Sequence, residues 1–265
     1  MELRIVILPG DGVGVEVIAQ AMKCLRVVCS RFGHSLETGE ELIGGVSIDA
    51  TGQALTSEVI KKCKDTDAVL MGAVGDTKYD DPQAPIHPED GLLTLRKELA
   101  LFANIRPVKV YDALIDNANI KPEILKGVDF IFVRELTGGL YFGQPKKQYK
   151  DEKTGQRCAV DSMLYSESEI VRIVKVGFEL AQKRNRKLIS VDKANVLLSS
   201  RLWRQVAIEA SGEYPEVELS HMLVDTCSMQ IIRAPKDLDV VVTENTFGDI
   251  LTDEASMLAG SMGML

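Results

Sequence analysis

Asp249 and Asp253 stand four residues apart in the run Gly248-Asp249-Ile250-Leu251-Thr252-Asp253. In a helix that spacing puts both carboxylates on one face. Two anions so placed repel unless a cation sits between them. Hard carboxylate oxygens suit Mg²⁺ or Mn²⁺ rather than zinc. Acids in a first helical turn also stabilise the helix dipole, so the spacing alone leaves both readings open. Three arginines, Arg96, Arg106 and Arg134, lie beside apolar segments. A guanidinium presents a fork suited to carboxylate or phosphate. Each one singly also reads as a surface salt-bridge partner. Lys193 follows a strand-like run and Asp192 directly. Ends of parallel strands are where α/β enzymes place chemistry. A lysine depressed by burial or by neighbouring cations serves as a general base. By itself Lys193 reads as an ordinary exposed lysine.

The elements that must hold these groups are read from apolar periodicity and turn residues. Leu3–Leu8 is a strand-like run closed by Pro9-Gly10-Asp11-Gly12. Val17, Ala21, Leu25, Val28 and Phe32 then recur at helical spacing. Thr56–Lys64 reads as a helix, Ala68–Met71 as a buried strand and Leu92–Ala100 as a helix carrying Arg96. Asp129–Arg134 is a strand running into the turn Thr137-Gly138-Gly139. Tyr141–Arg157 is polar and reads as an exposed loop or β-arm. Ser166 and Glu169 form a capping box for a helix reaching about Lys183. Leu188–Val191, Val217–Val224 and Asp239–Thr243 are strands. Helices follow from Ser199 or Ser200, from Asp225, and over Phe247–Ala259. Strands alternating with helices predict an α/β fold with a largely parallel sheet. The tract Asp76–Pro88 is a long polar loop, and such loops are usually functional. Gly10-Asp11-Gly12-Val13-Gly14 has the wrong glycine spacing for a Rossmann fingerprint. His34, His87 and His221 show no triad or ligand spacing and receive no role.

Composition excludes whole classes. The 265 residues are 45% apolar and 26% charged, which excludes a disordered or collagen-like chain. Net charge is −8, and the basic pieces Pro145–Lys150 and Lys183–Lys187 are short, so no nucleic-acid footprint is expected. Cys24, Cys29, Cys63, Cys158 and Cys227 include no C-x-x-C pair, which argues against zinc and a disulfide framework. The longest uncharged apolar run, Ala68 to Gly75, is too short to span a bilayer. No signal-peptide-like segment precedes Leu3, and the thiols suit a reducing cytoplasm.

Taken together, the segments resemble the isocitrate/isopropylmalate dehydrogenase family. The matching stretches are LPGDGVGVEV near the start, GGVSIDATGQAL at 44–55 and DAVLMGAVGD at 67–76. They continue with GLLTLRKELALFANIRPVKVY at 91–111, VRELTGGLYFGQP at 133–145 and DKANVL at 192–197. Val224-Asp225 and TENTFGDILTDEASMLAGSMGML at 243–265 complete the set. The resemblance implies a two-domain α/β fold with a non-Rossmann cofactor site. The first domain would hold 1–102 with 259–265, and the second 103–258, with a dimerisation arm at about 139–157. It also implies a homodimer with shared active sites and oxidative decarboxylation of a 2-hydroxy dicarboxylate using NAD. Carried over, Arg96, Arg106 and Arg134 bind the malate carboxylates. Asp249 and Asp253, with Asp225 of the partner subunit, hold Mg²⁺ or Mn²⁺ and the chelated substrate. Lys193 of the partner subunit is the base, and Tyr141 protonates the enol carbon. Asp76, Thr77, Lys78, Tyr79, Glu89 and Asn195 lie on the nicotinamide side.

Leu92 and Leu93 suit an isopropyl group on the malate, so isopropylmalate is the expected substrate. A charged substituent there would be left unpaired. Tartrate- or homoisocitrate-type specificity remains the alternative within the enzyme class. Family members continue beyond residue 265, so the first domain is expected to be incomplete. A non-catalytic, dimerising fragment is the reading from another class. Asp76-Thr77-Lys78-Tyr79 departs from the Gly-Pro-Lys-Trp common in the family.

Overall fold

A computed structural model describes residues 1–81, 83–118, 120–261 and 263. Pro82 of the 76–88 tract, and Met262, Met264 and Leu265 of the final motif, lie outside the described residues. The chain divides into two units, Met1–Leu101 and Phe102–Leu265.

In the first unit, strand β1 (Glu2–Gly10) leads to helix α1 (Val13–Arg31) and strand β2 (Ser35–Glu40). Helices α2 (Gly45–Thr51) and α3 (Ser57–Lys64), strand β3 (Ala68–Ala73) and helix α4 (Pro88–Glu98) follow. The sheet is parallel, in the order β2-β1-β3. Its core holds Val6, Leu8, Ile43, Val59 and Leu95. Gly72 in β3 lets α1 lie directly on the sheet. A Cβ there would stand 2.3 Å from Pro9 O and 2.9 Å from Gly14 O. The sequence places the start of α4 at Leu92, but the helix begins at Pro88. Proline needs no N–H partner at a first helical position, and Asp90 accepts the His87 N–H at 2.8 Å. The apolar periodicity starts a turn later than these polar capping signals.

The second unit opens with strand β4 (Ala103–Lys109), the short helix α5 (Pro122–Leu125) and strand β5 (Asp129–Glu135). A hairpin, β6 (Lys147–Lys150) and β7 (Arg157–Val160), precedes helix α6 (Glu167–Gln182). Strand β8 (Lys187–Asp192), helix α7 (Leu198–Ser211), strand β9 (Glu218–Leu223) and helix α8 (Val224–Arg233) come next. Strand β10 (Val240–Thr243) and helix α9 (Asn245–Ser256) follow. The sheet order is β4-β5-β10-β8-β9, parallel except for β4 against β5.

Both faces of this sheet are covered. Phe130, Phe132, Ile189 and Val241 pack with Cys227, Ile231 and Leu251 of α8 and α9. Val133, Leu188, Val240 and Val242 pack with Ile170, Phe178, Trp203 and Val206 of α6 and α7. Alternate residues of each strand thus enter opposite cores, which explains why the strands read as continuous apolar runs. The Ser166–Glu169 capping box forms as the sequence predicts, with Ser166 N to Glu169 Oε2 at 2.8 Å. Three edges shift. The polar arm is a β-hairpin whose second strand runs to Val160, past Arg157. Helix α9 begins at Asn245 because the Glu244 side chain caps it, two residues before Phe247, and ends at Ser256 rather than Ala259. Antiparallel β4 escaped the sequence reading because polar Asn104 and Arg106 interrupt its apolar pattern.

Candidate active site

The parallel strands of the second unit end in chemistry-bearing residues. β5 ends on Arg134-Glu135, β10 leads into Glu244-Asn245, β8 into Asp192-Lys193, and β9 into Val224-Asp225. Register aligns Thr243 of β10 with Arg134 on one side and Val191 on the other. This row is the carboxyl edge of the sheet, where backbone polar groups and following loops converge. On β4, Asn104 lies opposite Arg134. Arg106, two residues on, therefore shares a sheet face with Arg134, and its Nε donates to Asn104 Oδ1 at 2.9 Å.

Arg134 and Tyr141 meet on Asp249. Arg134 is 2% exposed, and its Nη1 pairs with Asp249 Oδ1. Tyr141 donates its hydroxyl to Asp249 Oδ2 at 2.6 Å. Burial, then the hydrogen bond to the Asp249 carboxylate, pushes the Tyr141 hydroxyl up to about 12. Tyr141 therefore stays a neutral phenol, a proton donor, across the ordinary pH range. Asn245 Oδ1 accepts Arg134 Nη2 at 2.8 Å and Nε at 3.2 Å. Gly248 clears the way, since a Cβ there would stand 2.5 Å from Arg134 Cγ.

Beneath this group lies a buried acidic network. Glu244 caps α9 by accepting Phe247 N–H at 2.6 Å and Thr246 N–H at 3.0 Å. Tyr165 donates its hydroxyl to Glu244 at 3.2 Å. Burial raises the Glu244 carboxyl above the usual range despite these donors. Glu135 accepts Thr137 N–H and Gly138 N–H, at 2.9 and 2.8 Å, and so folds the turn that leads to Tyr141.

A second cluster sits at the ends of β8 and β9. Lys193 Nζ pairs with Asp225 Oδ1. The hydrogen bond from Lys193 holds the Asp225 carboxyl below its usual range. Buried Asp192 accepts Arg204 twice, each at 2.8 Å, and Ala194 N–H at 2.8 Å. That fixes the turn displaying Lys193 and exposed Asn195.

In the first unit, Glu89, Leu92, Leu93 and Arg96 recur at helical spacing on α4, so they share a face. Leu92, Leu93 and Arg96 are half-buried. Thr77–Tyr79 forms a 3₁₀ turn, with Asp76 Oδ1 accepting Lys78 N–H at 2.9 Å. Asp49 pairs with Lys78 and accepts the Tyr79 hydroxyl at 2.8 Å. Glu89 Oε1 lies 3.5 Å from where a Cβ on Gly75 would stand. Buried Asp11 accepts the N–H groups of Gly45, Val46 and Gly75 at 2.8, 2.9 and 2.9 Å. It thereby ties the glycine turn after β1 to the loop before Asp76.

The structure brings together Arg134, Tyr141 and Asp249, and separately Lys193 and Asp225. Asp253 is exposed one helical turn beyond Asp249. Among the described residues, no three acidic, His or Cys side chains of one chain converge on a metal position. The pair Asp249 and Asp253 nonetheless offers oxygen donors of the kind Mg²⁺ and Mn²⁺ prefer. The sequence reading gave no role to Asn245, Glu244, Asp11, Asp49 or His87. His87 Nδ1 lies 3.2 Å from Tyr79 O and so joins α4 to the 76–79 turn. Asn245, Asp11 and Asp49 meet partners remote in sequence. Glu244 and His87 also have local partners at the starts of α9 and α4. No helix among the described residues is long and apolar enough to cross a membrane.

Residues 4–265 match the isocitrate/isopropylmalate dehydrogenase family. The chain is 60% identical to a 3-isopropylmalate dehydrogenase of Dehalococcoides mccartyi over 265 residues, covering all of this chain and 72% of that protein. A crystal structure of a Thermus thermophilus protein is similar with TM-score 0.82 and 28% identity, covering 98% of this chain and 49% of the other. Isocitrate dehydrogenase of Methylococcus capsulatus gives TM-score 0.79 at 28% identity, covering 98% of this chain and 72% of that one.

Proposed function

The chain belongs to the isocitrate/isopropylmalate dehydrogenase family, and on that premise we propose that it is a 3-isopropylmalate dehydrogenase of leucine biosynthesis. It oxidises 3-isopropylmalate with NAD⁺ and releases CO₂, leaving 4-methyl-2-oxopentanoate. The observation that carries this reading is Asp249 held between Arg134 and Tyr141. A guanidinium for carboxylate, a hard oxygen donor and a protonated phenol stand in one hydrogen-bonded set.

In this reading Arg96, Arg106 and Arg134 bind the substrate carboxylates. Leu92 and Leu93 give the isopropyl group an apolar surface. Isocitrate would leave a carboxylate unpaired there. Asp249 and Asp253, with Asp225 of the partner subunit, would hold Mg²⁺ or Mn²⁺, which would supply Lewis-acid polarisation of the substrate oxygens. NAD⁺ supplies the hydride acceptor, and Asp76, Thr77, Lys78, Tyr79, Glu89 and Asn195 serve its nicotinamide side.

Lys193 of the partner subunit, as the neutral amine released from Asp225, would accept the substrate hydroxyl proton at Nζ while the C2 hydrogen passes as hydride to NAD⁺. The C3–carboxylate bond of the keto acid then breaks. CO₂ leaves, and its electron pair stays on the substrate as an enolate. Tyr141 gives its proton to C3 and completes the product. Sharing of Lys193 and Asp225 requires a homodimer, built on the second domain (103–258) with its arm at 139–157. A reducing cytoplasm is the setting.

The test is NADH absorbance with 3-isopropylmalate, NAD⁺ and Mn²⁺, beside isocitrate and tartrate. Turnover confined to isopropylmalate supports the reading. Preference for isocitrate or tartrate overturns the substrate.

A further inference from the structure

We infer that Asn245 is a positioning residue that fixes the Arg134 guanidinium for carboxylate capture and ties it to the turn carrying Tyr141. This rests on the proposed reaction for what Arg134 binds. The geometry itself does not depend on that reading.

Arg134 enters the site from the end of strand β5 and is 2% exposed. A buried arginine needs acceptors on every edge, because an unpaired N–H there costs its full desolvation. Asn245 Oδ1 takes both Nε and Nη2, at 3.2 and 2.8 Å. That leaves the Nη1 edge, which pairs with Asp249. A guanidinium is planar, so holding one edge fixes the direction of the other. Gly248 narrows the choice further, because the Arg134 stem packs where its Cβ would stand.

The other end of the amide reaches the second group. Asn245 Nδ2 donates to Gly138 O at 3.2 Å. Gly138 immediately precedes the 3₁₀ turn Gly139–Tyr141. Asn245 N–H donates to the Tyr165 hydroxyl at 3.0 Å, which anchors the residue at the head of α9. Asn245 is itself 1% exposed. One carboxamide thus uses its acceptor on the substrate arginine and its donor on the turn of the phenol. Leucine has the shape but neither function, and aspartate keeps only the acceptor.

The test uses Asn245→Leu and Asn245→Asp, each alone and combined with Arg134→Lys. The first readout is the Arg134 Nε–H resonance, assigned by its loss in Arg134→Lys. Expected is slow solvent exchange in the original protein and in Asn245→Asp, and fast exchange or loss in Asn245→Leu. The second readout is kinetic. Asn245→Leu should raise KM for isopropylmalate by about tenfold or more, the scale of hydrogen bonds to a charged group, with KM for NAD⁺ unchanged. Asn245→Asp should restore part of that loss. In the Arg134→Lys background Asn245→Leu should add little, because the two residues act as one unit. Unchanged Arg134 protection in Asn245→Leu overturns the inference. So do equal losses in the Leu and Asp variants, or full additivity with Arg134→Lys. If Asn245→Leu does not fold, Asn245→Asp decides through the same resonance, and its loss there overturns the inference. Absence of isopropylmalate turnover in the original protein counts against the proposed reaction, and the resonance still judges Asn245.

Discussion

Tyr141 donates its hydroxyl to Asp249 at 2.6 Å, across 108 positions of sequence. One oxygen of the carboxylate faces the phenol and the other faces Arg134. Groups that the proposed function assigns to three parts of one reaction therefore share a single aspartate. In the proposed function, substrate and cation would take up Arg134 and Asp249 in place of these contacts.

Removing the Asp249 charge separates the arrangement. Asp249→Asn keeps the shape but loses the ion pair with buried Arg134 and the anionic oxygen donor. We expect half-saturation by Mn²⁺ to rise about tenfold or more, the scale on which charged contacts count in binding. Titration of activity, and of Mn²⁺ binding by magnetic resonance, checks this. An unchanged Mn²⁺ titration removes Asp249 from the metal site.

Tyr141→Phe retains the ring and deletes only the proton donor. Proton transfer by a positioned side chain contributes on the order of 10²–10⁴ in rate. We expect kcat to fall by about that range while KM for isopropylmalate moves little. Steady-state kinetics provides the check. A rise in KM with kcat unchanged would assign Tyr141 to binding instead.

Glu244 links the site to pH. Burial raises its carboxyl above the usual range, so the folded state favours the protonated form. A group raised on folding stabilises most fully below its unfolded pKa. That contribution is lost as pH climbs through the folded value. Glu244→Gln is neutral at every pH and keeps an acceptor for the α9 cap. Its stability relative to the original should therefore improve as pH rises from about 5 to 8, the interval above an ordinary glutamate pKa. Thermal unfolding at each pH measures the trend, and a difference independent of pH would contradict it.

Asp11→Ala tests the first unit. Three backbone N–H groups, of Gly45, Val46 and Gly75, lose one buried carboxylate. Leaving such donors unpaired should destabilise this unit by about 3 kcal/mol or more. Denaturant unfolding followed by hydrogen exchange at residues 44–46 and 75 reads the loss.

The largely parallel sheet of the second unit was legible because β5, β8 and β10 are apolar on both faces and closed by turn residues. The Asp249–Asp253 pair was legible because helical spacing is local. Asn245 and Glu244 were not. Their partners, Arg134 and Tyr165, lie on other elements, and no spacing rule connects them. Pro88 hid the start of α4 for a different reason: capping is polar, whereas the helix was sought by its apolar face. Asp11 stood in view, but its glycine neighbours were read only against a Rossmann fingerprint, whose spacing they lack. Its carboxylate instead supplies a common acceptor to three backbone amides.

At the centre of the proposed function stands one site that both oxidises and decarboxylates an isopropyl-substituted malate. The most direct measurement follows NADH and CO₂ together from 3-isopropylmalate labelled at the carboxylate on C3. Labelled CO₂ and NADH are predicted to form in equal amounts, with both reduced together in Asp249→Asn at limiting Mn²⁺. NADH formed without labelled CO₂ would contradict the decarboxylation, and turnover of isocitrate in preference to isopropylmalate would contradict the role proposed for Leu92 and Leu93.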